Sequence, residues 1–88
     1  MDTTFTITEQ RFLLRGISLN CAAGPTTGSP MVMLHGVTNW WRSLEGVMPV
    51  LGARWTVTAV DLRGHGHSNR VDDGYRWSEF AKDVVVFL

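Results

Sequence analysis

Thr4-Phe5-Thr6-Ile7-Thr8 alternates polar and apolar side chains, and Arg11-Phe12-Leu13-Leu14 runs through Arg15-Gly16 into Ile17-Ser18-Leu19-Asn20-Cys21-Ala22. Alternation punctuated by a glycine predicts an N-terminal antiparallel hairpin or meander, with Cys21 in its second long strand. The turn-forming residues of Gly24-Pro25-Thr26-Thr27-Gly28-Ser29-Pro30 predict a loop. Met31-Val32-Met33-Leu34-His35 follows and is apolar on both faces, the pattern of a strand inside a parallel sheet covered by helices. From Trp41 the apolar residues Trp41, Leu44, Val47 or Met48, and Leu51 fall on one helical face. Asn39 is the predicted N-cap of that helix, and Pro49, which would clash with the Glu45 carbonyl, is expected to kink it or end it early.

Trp55-Thr56-Val57-Thr58-Ala59-Val60 is a second β-rich run, ending at Asp61. After a glycine-spaced loop, the residues Asp72-Asp73-Gly74 read as a solvated turn. Trp77, Phe80, Ala81, Val84 and Leu88 then mark a helix with one apolar face. Strand, helix, strand, helix implies a right-handed crossover and parallel pairing. The expected fold class is therefore α/β, with antiparallel N-terminal strands leading into a parallel βαβα unit. The last helix carries neither a glycine stop nor a basic final turn, which reads as a chain cut within an element.

Composition narrows the picture. Over 88 residues, 44% are hydrophobic and 18% charged, the balance of a folded globular chain. A chain of this size buries only about 60% of the surface its unfolded form exposes, so a self-sufficient core is marginal. The formal net charge is zero, and the basic residues are scattered singly from Arg11 to Lys82. That distribution offers no footprint for nucleic acid or anionic lipid. The apolar run Val84-Val85-Val86-Phe87-Leu88 is far short of the ~20 residues that span a bilayer. Met1-Asp2-Thr3-Thr4 has neither a basic nor an apolar signal region. A soluble, cytoplasmic protein is expected, and the single cysteine, Cys21, reads as a small buried hydrophobe.

Two segments carry candidate chemistry. In Leu34-His35-Gly36-Val37-Thr38-Asn39-Trp40-Trp41, a buried strand ends in His-Gly and turns at once into a helix. Such a turn aims backbone N–H groups around Val37 at the carboxyl edge of the sheet, where acyl-transfer chemistry needs fixed donors for a developing oxyanion. Val60-Asp61-Leu62-Arg63-Gly64-His65-Gly66-His67-Ser68 closes the next strand.

In this order and spacing, the two segments resemble the α/β-hydrolase family, with Trp77 to Leu88 placed like that family's next helix. The resemblance runs from about Phe12 to Leu88. It implies that residues 1–88 are the N-terminal portion of a single hydrolase domain, three-layered (αβα) when complete. The nucleophile elbow, the acid and the base would all lie beyond this span. It also implies that the Val37 N–H forms half of an oxyanion hole, with Gly36, Thr38 and Trp40 near the substrate. His35 would shape that loop and is not the catalytic base. Asp61, Arg63, Gly64 and Gly66 would build a structural turn, with Ser68 beside it, and Asp61 is not the catalytic acid. The family's haloalkane dehalogenases carry Asn where Val37 stands, and its epoxide hydrolases usually carry Pro where Thr38 stands. Both departures favour an esterase, a lactonase or a related acyl hydrolase acting on a small acyl substrate without metal or organic cofactor. The 88-residue chain alone is expected to be inactive. It is also expected to be a monomer of low stability, open to self-association through the sheet edge at Met31 to Leu34, which in the family's strand order lies beside the nucleophile strand.

Other readings of the same residues are weaker. Gly66-His67-Ser68-Asn69-Arg70 mimics a nucleophile elbow, but Arg70 occupies a position that must be small and Ser68 lies seven residues past the strand. Asp61, His65 and Ser68 are too close in sequence to supply triad geometry. His65-Gly66-His67 is similar to the opening of a metal site, yet Asn69 and Arg70 stand where further ligands are needed. Gly64-x-Gly66 lacks the third glycine and the following helix of a dinucleotide fingerprint.

Overall fold

Arg15 and Gly16 both take left-handed φ angles, 53° and 76°. This is the two-residue hairpin turn whose twist matches paired strands. It joins β1 (Thr8–Leu14) to β2 (Ile17–Ala23), antiparallel from Leu14 opposite Ile17 to Thr8 opposite Ala23. The computed structural model of the chain describes residues 5–36, 38–70 and 75–88, so Val37 and the Asp72-Asp73-Gly74 turn lie outside the described residues. Of the alternating run, Phe5 to Ile7 is not strand, and β1 begins only at Thr8. Phe5 and Ile7 pack against the core instead, the Phe5 ring filling space beside Gly24 and Gly52 that a Cβ on either glycine would occupy.

β3 (Pro30–Leu34) and β4 (Thr56–Val60) complete a four-stranded sheet of order β1-β2-β4-β3. β2 and β4 run antiparallel, with Cys21 opposite Val60. β3 and β4 run parallel, from Pro30 opposite Thr56 to Leu34 opposite Val60. Parallel pairing brings the ends of both strands, and the two motif turns that follow them, to the same edge of the sheet. β3 is an outer strand, which is why its apolar residues are only half buried and Leu34 is exposed.

The sheet carries apolar packing on both faces. On one, Ala22, Val57 and Ala59 meet Trp41 and Met48, with Met31 and Met33 alongside. On the other, Ile17, Leu19, Cys21 and Val60 meet Val32 and Phe87. Burying Trp41 and Met48, which are 2% and 0% exposed, contributes on the order of 2–3 kcal/mol each.

The segment after β3 differs from the single helix expected. A 3-10 turn spans Trp41–Leu44, and a short helix, α1 (Met48–Leu51), follows. Pro49 lies in the first turn of α1, so it starts a helix where an end was expected; its missing N–H costs nothing in a first turn. Trp40, not Asn39, precedes the 3-10 turn, and no side chain caps it.

The last helix, α2 (Trp77–Phe87), is rotated from its expected face. Asp83 is buried, Phe80, Val84 and Phe87 are half buried, and Trp77 and Leu88 are exposed. The cause is electrostatic. Arg63 on the turn after β4 grips Asp83 through Nε at 2.6 Å and Nη2 at 2.8 Å. Arg15 at the hairpin reaches both Asp83 and Glu79 at 3.0 Å. Among the described residues no helix is long and apolar enough to cross a membrane.

Candidate functional site

His35 links the two motif turns. It is 7% exposed, and its Nε2 accepts the Leu62 N–H at 3.0 Å, which leaves the ring proton on Nδ1 to be donated to the Gly36 carbonyl at 2.6 Å. Burial lowers the pKa of His35, against the opposing pull of the Gly36 carbonyl, so the ring is held neutral. Asn39 N–H donates to the same Gly36 carbonyl at 3.1 Å and closes a turn over residues 36–39. Within it Thr38 adopts φ 69°, a conformation that costs a β-branched residue on the order of 1–2 kcal/mol. Strain of this kind persists only where the surroundings impose it, and it concentrates at working sites. Val37, between these residues, lies outside the described residues.

Asp61 is the hub of the second turn. Its carboxylate is fully buried and accepts the Trp41 N–H at 2.7 Å, the His67 N–H at 3.0 Å and the Asn20 amide at 3.0 Å. Its own carbonyl accepts Ser68 Oγ–H at 2.5 Å, and Ser68 Oγ in turn accepts the Asn20 N–H at 2.7 Å. Gly66 takes φ 51°, and a Cβ there would collide with the Asp61 carboxylate; at Gly64 it would strike the Tyr75 ring. The glycine spacing of the motif is therefore a packing requirement. His65 Nδ1 contacts the Arg63 carbonyl at 2.9 Å, and its ring lies 5.0 Å from that of His35. Ser68 thus bonds the main-chain carbonyl of Asp61 and His65 that of Arg63, so Asp61, His65 and Ser68 do not form a side-chain relay. Arg63 is 5% exposed, its charge held chiefly by Asp83. Among the described residues no three His, Cys, Asp or Glu side chains group as metal ligands.

Thr38, Asn39, Trp40, Gly66 and His67 line an open cavity of about 310 Å³ between the two turns. Thr38 and Trp40, expected near substrate, are in this wall; Asn39 and His67 join them without having been expected there. Glu9, on β1, was missed altogether. One of its oxygens meets Asn20, Trp41 and His67, contacts that hold its pKa down, Asn20 most, with burial opposing. Nothing in the run Thr8-Glu9-Gln10-Arg11 marks it, because its partners come from other strands and turns. Asp83 did leave a signal: a carboxylate between Phe80 and Phe87 on the packed side of a helix demands a cation. A second cavity of about 460 Å³, almost wholly apolar, lies between the end of β3 and α2, lined by residues that include Leu34, Leu62, Trp77, Phe80 and Val84. Cys21 is buried, and desolvation together with the nearby Asp61 charge pushes its thiol up to about 12, so it is no nucleophile.

A parallel strand pair, with its helices on opposite faces and two turns converging at its carboxyl edge, is the start of an open α/β sheet of hydrolase type. The family model described as alpha/beta hydrolase fold matches residues 29–88, and the chain belongs to that family. It is 34% identical, over its whole length, to 2-(acetamidomethylene)succinate hydrolase of Mesorhizobium japonicum, of which it covers 33%. It is 43% identical to epoxide hydrolase B of Mycobacterium tuberculosis over 69% of the chain and 18% of that protein. The crystal structure of an E-2-(acetamidomethylene)succinate hydrolase superposes with a TM-score of 0.86 at 32% identity, over 93% of this chain and 30% of that one. The chain thus spans about a third or less of the length of these relatives.

Proposed function

We propose that the full-length protein hydrolyses an ester, lactone or similar acyl bond, with a serine-type nucleophile and its histidine base both supplied beyond Leu88. In this reading the Val37 N–H receives the developing oxyanion, Gly36 and Thr38 hold it in place, and Trp40 borders the acyl group. No metal or organic cofactor takes part, and the setting is cytoplasmic. The observation that carries the reading is the doubly bonded Gly36 carbonyl, held by His35 Nδ1–H and Asn39 N–H. That clamp fixes the loop at the carboxyl edge of the sheet, where acyl transfer needs a donor for the oxyanion. The relatives include both an amide-bearing succinate hydrolase and an epoxide hydrolase. Thr38 tips the balance towards acyl chemistry, because proline cannot adopt the φ of 69° found there.

The test is to assay the full-length protein side by side on a p-nitrophenyl ester and on styrene oxide. Saturable ester hydrolysis with no turnover of the epoxide is expected, and turnover of the epoxide alone would overturn the reading. The 88-residue chain by itself is expected to match the buffer rate on the ester.

A second reading is a non-catalytic module that pairs the β3 edge with another chain. Two features favour it: among the described residues β3 has only β4 as a strand partner, and the apolar cavity lies alongside. Gene sequence past Leu88 separates the two. A small-x-Ser-x-small turn within about 20 to 40 residues, one further helix and strand, supports the enzyme; a stop codon and a stable oligomer support the module.

A further inference from the structure

The side chains of Glu9 and His67 take no part in the His35 clamp or the Asp61 hub, yet they stand beside the cavity between the two turns. Glu9 Oε1 receives Asn20 Nδ2 at 2.9 Å, Trp41 Nε1 at 2.9 Å and His67 Nδ1 at 3.0 Å. A carboxylate gathering three donors is ionised and can only accept. The proton of the neutral His67 ring therefore belongs on Nδ1, and Nε2 keeps its lone pair. The backbone of His67 is anchored at both groups: its N–H donates to Asp61 at 3.0 Å, and its carbonyl accepts from Arg11 Nη1 at 2.6 Å. The side chain is 54% exposed, lines the cavity, and meets the Trp40 ring edge to face with centroids 5.1 Å apart. The result is a fixed acceptor beside an aromatic surface, next to the turn that carries Thr38. The charge behind it is negative, because Glu9 backs the ring. Of the cations nearby, Arg11 is bonded to the His67 carbonyl at 2.6 Å, Arg70 to the Gly66 carbonyl at 3.2 Å, and Arg42 is paired with Glu45 at 3.1 Å over Trp41, so each is spent on another group. With a lone pair on Nε2 and the Glu9 carboxylate behind the ring, a neutral donor is favoured there over an anionic group.

We propose that this cavity is a subsite for a hydrogen-bond-donating group of the substrate, an amide N–H or a hydroxyl next to a flat apolar body. His67 is its specificity-determining residue and Glu9 the positioning residue that sets the tautomer. Calling the ligand a substrate rests on the acyl-hydrolase reading, whereas the test reads binding alone, so the two can fail separately.

The experiment is a titration of the full-length protein, with nitrogen-15-labelled histidine, by benzamide and by benzoate, followed by NMR. In the free protein at a pH where the ring is neutral, His67 should show its proton on Nδ1. Benzamide should move the Nε2 resonance, and benzoate should bind more weakly. His67→Phe, which keeps the ring and removes the acceptor, should weaken benzamide binding by about threefold to tenfold, the size of one neutral hydrogen bond. Glu9→Ala should release the tautomer preference and narrow the gap between the two probes, and tryptophan fluorescence would report whether it still unfolds cooperatively. Protonation of the neutral ring at Nε2 would overturn the proposal. So would equal benzamide affinity in wild type and His67→Phe, or a benzoate preference in the wild type.

Discussion

The two turns at the carboxyl edge of the sheet are built in opposite ways. The turn after β4 is closed. Asp61 is fully buried, its carboxylate takes hydrogen bonds from three residues, Ser68 is tied to Asp61 and Asn20, and Arg63 is locked to Asp83. The turn after β3 is open. Thr38 and Asn39 are exposed, Thr38 sits in a strained conformation, and an accessible cavity adjoins it. The denser motif, with its Asp, His and Ser, has the look of chemistry and is architecture. The sparser one, with a single His-Gly, keeps its neighbouring groups available. A saturated polar cluster fixes geometry because each member already has a partner; on the closed turn it is the His67 side chain, outside that cluster, that still faces the cavity.

That contrast can be broken most severely at Asp61. Asp61→Ala removes the acceptor of three donors, two of them buried, and should cost about 4 kcal/mol, from roughly 1–3 kcal/mol per unsatisfied group. Loss of that size is comparable to the whole stability of a small domain. A urea midpoint unchanged from wild type would show that the closed turn does not hold the fold. Asp83→Ala should come next, at about 3 kcal/mol, because it takes the carboxylate from a buried guanidinium. The expected signature is loss of α2 packing, read as faster hydrogen exchange over residues 77–87 than over β2 and β4.

A smaller effect is expected at the clamp between the turns, and it depends on pH. The folded state lowers the pKa of His35 below its ordinary 6.5, so the unfolded chain binds a proton first as pH falls. Stability should therefore decline as pH drops below 6.5, level off below the folded-state pKa, and recover on return to neutral. One proton limits the slope to about 1.4 kcal/mol per pH unit. The Glu9 and Glu79 carboxyls, whose pKa values are lowered from 4.5, add their own loss only at still lower pH. His35→Gln should flatten the profile just below pH 6.5; an identical slope in that variant would exclude His35 as its cause.

The smallest change is expected at Thr38. Thr38→Gly should leave stability within about 1 kcal/mol of wild type, since relief of the left-handed strain is offset by a more flexible unfolded chain. Thr38→Pro, unable to reach positive φ, should cost more, about 2 kcal/mol, or force the turn to rearrange. Thermal unfolding of the pair measures the difference. If both variants matched wild type, the open turn would not be held in the conformation described.

Much of the architecture was legible residue by residue. The alternation on either side of Arg15-Gly16 marked the hairpin, although the strand begins at Thr8, and Phe5 and Ile7 pack against the core instead. The doubly apolar run at Met31 to Leu34 marked a strand packed on both faces, and its half-exposed state follows from its position at the sheet edge, which local pattern does not encode. The segment from Trp41 to Leu51 reads as one helix because the spacing of four apolar residues is equally compatible with two short turns, and Pro49 serves to begin a helix as well as to end one. On α2 the apolar spacing was correct, but the helix turned to bury Asp83, since pairing that carboxylate outweighed covering Trp77 and Leu88.

The sequence by itself determined the order of elements, the parallel pair and the two glycine-containing turns, because hydrophobic period, turn chemistry and crossover handedness are all local or nearly so. The tertiary structure alone decided which polar groups are spent and which remain. His67 finds Glu9 58 positions away and Arg15 finds Asp83 68 positions away. Those meetings exist only because β4 enters beside β2 and brings distant side chains together; at Asp83, which is buried, the charge must also be paired.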